Sequence, residues 1–358
     1  MDSAHLLSLT DAFRTKGVVV IGDVVADEFV YGRVARVSRE APVLILEYDS
    51  TEIVPGGAGN AANNMAALGG SPALVAVVGR DEAGRRTVAA LHTRVDPKHL
   101  VRSTGAVTPV KTRILAGGVH SAKQQIVRID RAVPRSVDQK TRLAIERAAL
   151  AAIRRADAVL VSDYGSGLVS PPLVRKISAE LKRAGVPIPI VVDSRYRLLE
   201  YTGLTMSTPN QSEVEQALDV RIGDDNRVLE RAGRAILERT RMQAVLITRG
   251  SRGMSLFMRH APTVHIPIFG SESIVDVTGA GDTVVSIVTL ALASGGTFEA
   301  AARLANYAGG LVVMKRGTAT VSGDELRAAI RSAANVGSAF RRTAGRLKPD
   351  PTKSVPGA

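Results

Sequence analysis

The segment 276–283, D-V-T-G-A-G-D-T, sets three small residues ahead of a single acid. Gly279, Ala280 and Gly281 leave successive backbone N–H groups unobstructed by side chains. Where a helix begins at such a run, those groups and the helix dipole converge on one point and make an anion site. Asp282 would stand at that helix start. A carboxylate beside an anion opposes binding. It is useful if the acid must take a proton from a hydroxyl that attacks a phosphoryl group. The same residues also read as a plain loop with Asp as a helix N-cap. The run that follows, Val284-Val285-Ser286-Ile287-Val288-Thr289, is rich in β-branched residues and by propensity reads as strand.

Four other stretches carry chemically useful residues. In P-G-G-A-G-N (55–60), Gly56 and Gly57 permit close backbone approach to a ligand. Asn60, with Asn63 and Asn64 behind it, can donate and accept hydrogen bonds, which suits polyol hydroxyls. A Gly-rich turn before an Ala-rich helix would look the same. Asp23 and Asp27 lie just past a buried strand, where open α/β sheets bind ligands and where acids can hold sugar hydroxyls. Ordinary strand-end turn chemistry also places acids there. Asn210 and Glu213 are three apart, on one helix face, and could organise Mg²⁺ through its water shell. An N-cap with Glu in the first turn is the alternative. Gly250 and Gly253, in T-R-G-S-R-G-M from Thr248, suit a nucleotide approached by backbone. The Walker motif G-x-x-x-x-G-K-[ST] is absent, and the six histidines have no metal-ligand spacing.

These residues need a scaffold that brings strand ends together. Aliphatic runs at 17–25, 71–79, 157–164, 187–194 and 243–250 read as buried strands, with helical segments between them. That alternation predicts an α/β fold with a mostly parallel sheet covered on both faces. Segments 28–50 and 110–130 break the rhythm and read as hairpin strands of a small separate sheet, the second with an A-G-G-V-H-S-A turn. Hydrophobic residues are 45% and charged residues 23% of the 358, enough for a sizeable core. Aromatics are only 3%, so that core is aliphatic. Cysteine is absent, which excludes disulfides and thiolate metal sites and fits a reducing cytoplasm. There is no signal-peptide pattern, and the most apolar run, 284–293, is too short to span a bilayer. The net charge of +13 is dispersed among acids without interleaved aromatics, which argues against nucleic-acid binding. Residues 331–358 read as a basic, Pro-rich, disordered tail.

The order of these motifs resembles the ribokinase-like, or PfkB, carbohydrate kinases. It is carried by G-G-A-G-N-A-A-N-N-M-A-A-L-G-G, G-R-D-E-A-G (79–84), T-P-N-Q-S-E, T-R-G-S-R-G-M, D-V-T-G-A-G-D-T and the segment 302–321, over roughly residues 16–330. Within the family the chain is most similar to the D-glycero-D-manno-heptose 7-phosphate kinases, through R-V-S-R-E-A-P-V (36–43), Q-Q-I-V-R-I-D (124–130) and V-L-V-S-D-Y-G-S-G-L (159–168). It departs from their pattern at Arg39, where they tend to carry Pro, and at Ser166, where they carry Lys.

The resemblance implies a three-layer ribokinase-like sandwich over residues 1–330, with a β-sheet lid within about 28–50 and 108–130. It also implies a kinase-only form without an adenylyltransferase domain. The expected reaction is ATP-dependent phosphorylation of the anomeric hydroxyl of the heptose 7-phosphate. Another sugar or sugar-phosphate kinase, or a non-catalytic sugar- or nucleotide-binding relative, is the alternative. Asp282 would be the base and Gly279, Ala280 and Gly281 the anion hole. Asp27, Gly56, Gly57 and Asn60 would bind the sugar. Asn210 and Glu213 would help hold Mg²⁺, while Asn210, Thr248, Gly250, Gly253 and Asn306 would lie near ATP. A monovalent cation is a further cofactor left open. A homodimer through the lid is expected, with no nucleic-acid or membrane partner. Lys111, Arg113, Arg128, Arg36 and Arg39 lie in or beside the expected lid and could bind the phosphate of a sugar phosphate, or could be solvated edge-strand charge.

Overall fold

The strand Gly17–Gly22 (β1) is buried on both faces, and its residues alternate between two apolar cores: Val18 and Val20 in one, Val19 and Ile21 in the other. That is the signature of a parallel sheet with helices on both sides. The computed structural model that shows this describes residues 2–117, 123–131, 138–270 and 275–344, with side chains to residue 335.

The first half of the chain runs α1 (Ser3–Ala12), β1, β2 (Val24–Val37), β3 (Leu44–Gly57), α2 (Ala58–Ala67), β4 (Ser71–Val75), β5 (Val77–Gly79), α3 (Glu82–Ala89), β6 (Val101–Ser103), β7 (Val110–Gly117) and β8 (Gln124–Arg131). Then follow α4 (Gln139–Ala152), β9 (Ala158–Asp163), α5 (Pro171–Arg183), β10 (Ile190–Ser194), β11 (Met206–Ser207), α6 (Gln211–Leu218) and α7 (Asn226–Thr240). The last part holds β12 (Ala244–Thr248), β13 (Met254–Met258), β14 (Val264–Ile266), α8 (Ala280–Ala293), α9 (Phe298–Val312) and α10 (Gly323–Ala344).

The large sheet has the order β14-β13-β12-β11-β10-β9-β1-β4. It is parallel except for the antiparallel pairs at β13 and β14. Helices α1, α2, α8, α9 and α10 contribute to the core on one face. Helices α4, α5 and α7 cover the other. The lid is a four-stranded sheet, β3-β2-β7-β8, in which β2 pairs antiparallel with β3 and parallel with β7. The expected α/β sandwich with a small lid is therefore the observed fold, and the lid strands reach beyond 28–50 to 24–57.

Three expectations change. Segment 71–79 is two strands, because the chain turns at Ala76 and β5 leaves the large sheet to pair with β6. The β-branched run after Asp282 is helix, for reasons given below. The helix α10 continues from Gly323 to Ala344, past the expected tail boundary at 330, while residues 345–358 lie outside the described residues. Residues 118–122 of the A-G-G-V-H-S-A turn also lie outside them; β7 and β8, which flank it, are antiparallel. Among the described residues, no helix is long and apolar enough to cross a membrane.

Candidate active site

Helix α8 forms against its β-propensity because every residue from Asp282 to Leu292 is buried between the sheet and helices α2 and α9. Tertiary packing overrides a propensity difference of a few tenths of a kcal/mol per residue. Its hydroxyls are absorbed locally: Ser286 Oγ donates to Asp282 O (2.6 Å) and Thr289 Oγ1 to Val285 O (2.7 Å). The N-cap is Gly279, at φ 78°, and no side chain caps the helix. A Cβ on Gly279 would lie 2.6 Å from Asn60 Nδ2, so only glycine fits. Beside Gly281 nothing lies within 4 Å of where a Cβ would be. Ala280 N–H donates to Val277 O at 3.2 Å, whereas the backbone at Gly281 borders open space, as an anion cradle requires.

Asp282 sits in that first turn, 4% exposed. Asn60 Nδ2 donates to its Oδ2 at 2.7 Å, and the Tyr164 hydroxyl donates to its Oδ1 at 2.9 Å. Burial pushes the carboxyl up to about 6. The Asn60 and Tyr164 donors oppose that rise, the charge of Asp27 adds to it, and Lys111 opposes it. Asn60 is itself fixed, because Asn64 Nδ2 donates to its Oδ1 and to its backbone oxygen (3.0 Å each). Thr283 Oγ1 in turn donates to Asn64 Oδ1 at 2.9 Å. The early Gly-Asn motif on α2 and the late Gly-Ala-Gly-Asp motif on α8 are thus one buried network.

Above this network lies one face of the lid. In the strand register Asp27 is opposite Lys111, Phe29 opposite Arg113, and Arg113 opposite Arg128, so these side chains share a face. Asp27 Oδ1 accepts from Arg113 Nη1 at 2.6 Å, both side chains being 9% exposed. A Cβ on Gly56 would lie 2.3 Å from Asp27 Oδ2, so the glycine makes room for this carboxylate. Gly57 starts α2 and packs against the Tyr164 ring. Lys111 Nζ lies 5.4 Å from the centre of that ring, and burial lowers its ammonium pKa, an effect that Asp27 opposes. Arg128 is half-exposed and donates to Asp130 on its own strand. Arg36 and Arg39 are exposed at the far end of the β2–β3 hairpin, about 30 Å along the strand from Asp27. The structure does not bring those two together with the other lid cations. Asp23 does not face the lid: it accepts from the backbone of Tyr164 (2.9 Å) and of Ser166 (3.2 Å) and from the Ser166 hydroxyl. Ser166 is therefore committed to Asp23.

The opposite end of the site is a cavity of 490 Å³. Asn210, Thr248, Gly250, Gly253, Asn306, Ala280 and Gly281 all line it, so the expected nucleotide residues meet the expected anion hole in one continuous space. Met254, Ile268, Val284 and Val313 give it apolar walls suited to a base. Asn306 Nδ2 donates to Pro267 O at 2.9 Å. Asn210 and Glu213 form a complete capping box: Asn210 Oδ1 accepts from Glu213 N, and Glu213 Oε2 accepts from Asn210 N, both at 2.9 Å. The local helix-start reading of this pair is therefore realised, and it leaves Glu213 Oε1 for other partners. Burial raises the Glu213 carboxyl, and Asp193 is raised well above the usual range by burial and by the charges of Glu213, Asp282 and Asp163. Among the described residues, no group of three or more His, Asp or Glu side chains could hold a metal unaided. Asn210, the capping partner of Glu213, lines the cavity, and the chemistry of the pair suits a Mg²⁺ that keeps its waters.

Tyr164 and Asp193 escaped the sequence reading. Asp193 is the penultimate residue of β10, and the rule that ligands bind at the carboxyl ends of parallel strands would have found it. Nothing in the residue type marks Tyr164.

Known proteins are similar to this chain in sequence or in shape. Residues 15–326 match the family described as pfkB family carbohydrate kinase. The chain is 40% identical over 335 residues to the bifunctional protein HldE of Caulobacter vibrioides, covering 93% of this chain and 67% of that protein. It is 40% identical over 328 residues to the bifunctional protein HldE of Geobacter sulfurreducens, covering 91% and 65%. The chain thus spans about two thirds of the length of the curated relatives it matches. In shape it is similar to Arabidopsis thaliana ribokinase complexed with ribose and ATP, with a TM-score of 0.66 and 19% identity over 88% of this chain and 98% of that one. It is also similar to Escherichia coli phosphofructokinase-2 in complex with potassium, with a TM-score of 0.69 and 18% identity over 89% and 99%.

Proposed function

Because this chain belongs to the pfkB family of carbohydrate kinases, we propose that it transfers the γ-phosphoryl group of ATP to the anomeric hydroxyl of D-glycero-D-manno-heptose 7-phosphate, giving the 1,7-bisphosphate. The observation that carries the reaction is the placement of Asp282, at the uncapped start of α8, between the lid face and the nucleotide cavity. The sugar assignment rests on the similarity to heptose 7-phosphate kinases at 36–43 and 124–130, and it is supported by cations on the lid face suited to a second phosphate.

The chemistry follows from the geometry. The sugar sits under the lid, with hydroxyls toward Asp27 and Asn60. Asp282 accepts the proton of the attacking hydroxyl; a carboxyl near 6 is ionised at neutral pH yet more basic than a free one. The first-turn N–H groups of α8 stabilise charge on the moving phosphoryl oxygens. Lys111 adds a cation on the sugar side. The lid excludes water that would otherwise accept the phosphoryl group. Glu213 and Asn210 would hold Mg²⁺ through water, and the ion would supply charge neutralisation on the ATP phosphates. The exposed apolar residues on the lid strands, among them Val37, Leu44, Ile126 and Ile129, support a dimer through the lid.

The test is an ADP-release assay over a panel of sugars and sugar phosphates, with ³¹P NMR of the product. Heptose 7-phosphate should give the highest kcat/KM and an anomeric phosphate. A higher kcat/KM for a fructose phosphate or for an unphosphorylated sugar would overturn the substrate assignment.

A further inference from the structure

We propose that Tyr164 is a positioning residue for Asp282: its hydroxyl and the Asn60 amide clamp the carboxylate from two elements and fix which lone pairs face the sugar hydroxyl. The inference rests on the reading of Asp282 as the base.

Each carboxylate oxygen has two acceptor positions. Tyr164 occupies one on Oδ1 and Asn60 one on Oδ2, at 2.9 and 2.7 Å. The donors come from two elements, Asn60 from α2 and Tyr164 from the loop after β9. With both filled, rotation about either side-chain bond of Asp282 would break a charge-assisted bond inside a buried site. The free acceptor positions are then set in one direction, as a proton transfer requires.

Tyr164 is built to hold still. Its N–H donates to Asp23 Oδ2 at 2.9 Å, and the following Gly165 takes φ 82°. Ser166 ties the same loop to Asp23 through its own N–H and hydroxyl. One edge of the ring packs on Gly57, where a Cβ would be 3.4 Å from Cε2. Lys111 Nζ lies over one face at 5.4 Å. Burial and the charges of Asp282 and Asp193 keep the phenol protonated, so toward the carboxylate it acts as a donor. The ring thus links the base, the sugar-binding glycine loop and the lid lysine.

Tyr164→Phe removes only the hydroxyl and keeps the ring beneath Lys111. The other groups facing Asp282 stay: Asn60 on α2, Asp27 on β2, Lys111 on β7 and Asp193 on β10. Loss of one of the two donors that oppose burial raises the proton affinity of Asp282. With the sugar phosphate of highest turnover in the panel, kcat at pH 7 should fall about 10- to 100-fold, the range for a hydrogen bond to a charged group. The acid limb of the kcat–pH profile should also move up by about one pH unit or more, the same range read as a pKa, with the KM for ATP unchanged. An unmoved limb overturns the proposal whether or not kcat falls, since a merely structural role lowers kcat without moving it. If the Phe variant does not fold, 3-fluorotyrosine placed at 164 reads the same coupling: a more acidic phenol donates more strongly and the limb moves down, and an unmoved limb overturns the proposal. The base reading is separable. Asp282→Asn with near-wild-type turnover removes it, whereas an inactive Asp282→Asn beside an unmoved Tyr164→Phe limb removes only the role of Tyr164.

Discussion

Asn60 and Asp282 are 222 residues apart in the chain, and their side chains meet at 2.7 Å. The bond joins the start of α2 to the start of α8, so neither glycine-rich turn makes the site alone. It also places the Asp282 carboxylate where water is scarce, which sets both its proton affinity and its effect on stability.

Asp282→Asn should lower kcat by at least ~10²-fold, the low end for loss of a general base. The same change should stabilise the fold. Asp282 is raised from 3.8 to about 6, so the folded state binds the proton more tightly than the unfolded chain. Its unfavourable contribution, on the order of 2–3 kcal/mol, is full above pH 6 and disappears as pH falls through the window from 6 to 4. Thermal melts of both proteins at pH 8 and pH 4 should show a higher Tm for the variant at pH 8 only. Equal shifts at both would contradict the assignment of a buried, charged carboxylate.

The wild-type kcat should decline below about pH 6, as Asp282 takes up its proton. A flat profile between pH 5 and 8 would show that no group titrating like Asp282 controls turnover.

Arg113 and Arg128 are cross-strand neighbours with different surroundings, and their alanine variants should separate. Arg113→Ala leaves Asp27 buried without its partner and should cost about 3–5 kcal/mol in stability, read by urea unfolding. Arg128→Ala removes an exposed charge and should change stability by less than about 0.5 kcal/mol. Its effect should instead be a higher KM for a phosphorylated sugar than for the unphosphorylated analogue. Equal KM changes for the two sugars would remove Arg128 from phosphate binding.

Glu213→Gln keeps an acceptor for the Asn210 N–H and loses the charge. Tm should stay within a few degrees while the Mg²⁺ concentration for half-maximal rate rises about tenfold, a change of about 1.4 kcal/mol. Chelation of Mg²⁺ should stop turnover of both proteins. An unchanged Mg²⁺ requirement would assign Glu213 to the helix cap alone.

The scaffold was readable because β1, β9, β10 and β12 are buried on both faces, and such strands are written as unbroken aliphatic runs. Helix α8 was not, because Val284, Val285, Ile287 and Val288 carry strand propensity and only their burial on every side makes them helical. The glycine motifs announced sites, yet the pairing of Asn60 with Asp282 is a fact of packing that spacing cannot express. Arg36 and Arg39 share with Arg113 and Arg128 only a basic side chain and a place in or beside the lid segments. Strand rise separates them, since an extended chain moves about 3.3 Å per residue. Tyr164 was invisible for the opposite reason: its neighbours in space, Gly57, Lys111 and Asp282, come from three distant segments.

Under the proposed function, the sugar's contacts would be built into the cover itself. Asp27, Lys111 and Arg113 belong to β2 and β7, the middle strands of the lid, whereas Asp282 and the nucleotide cavity belong to the body. Recognition and sealing would then be a single mechanical act. On that reading, a sugar that fails to engage Asp27 would also fail to hold the seal, and substrate fidelity and protection of ATP from idle hydrolysis would rise and fall together. The uncoupled ATPase rate measured with poor sugars would serve as a gauge of how well each one fits.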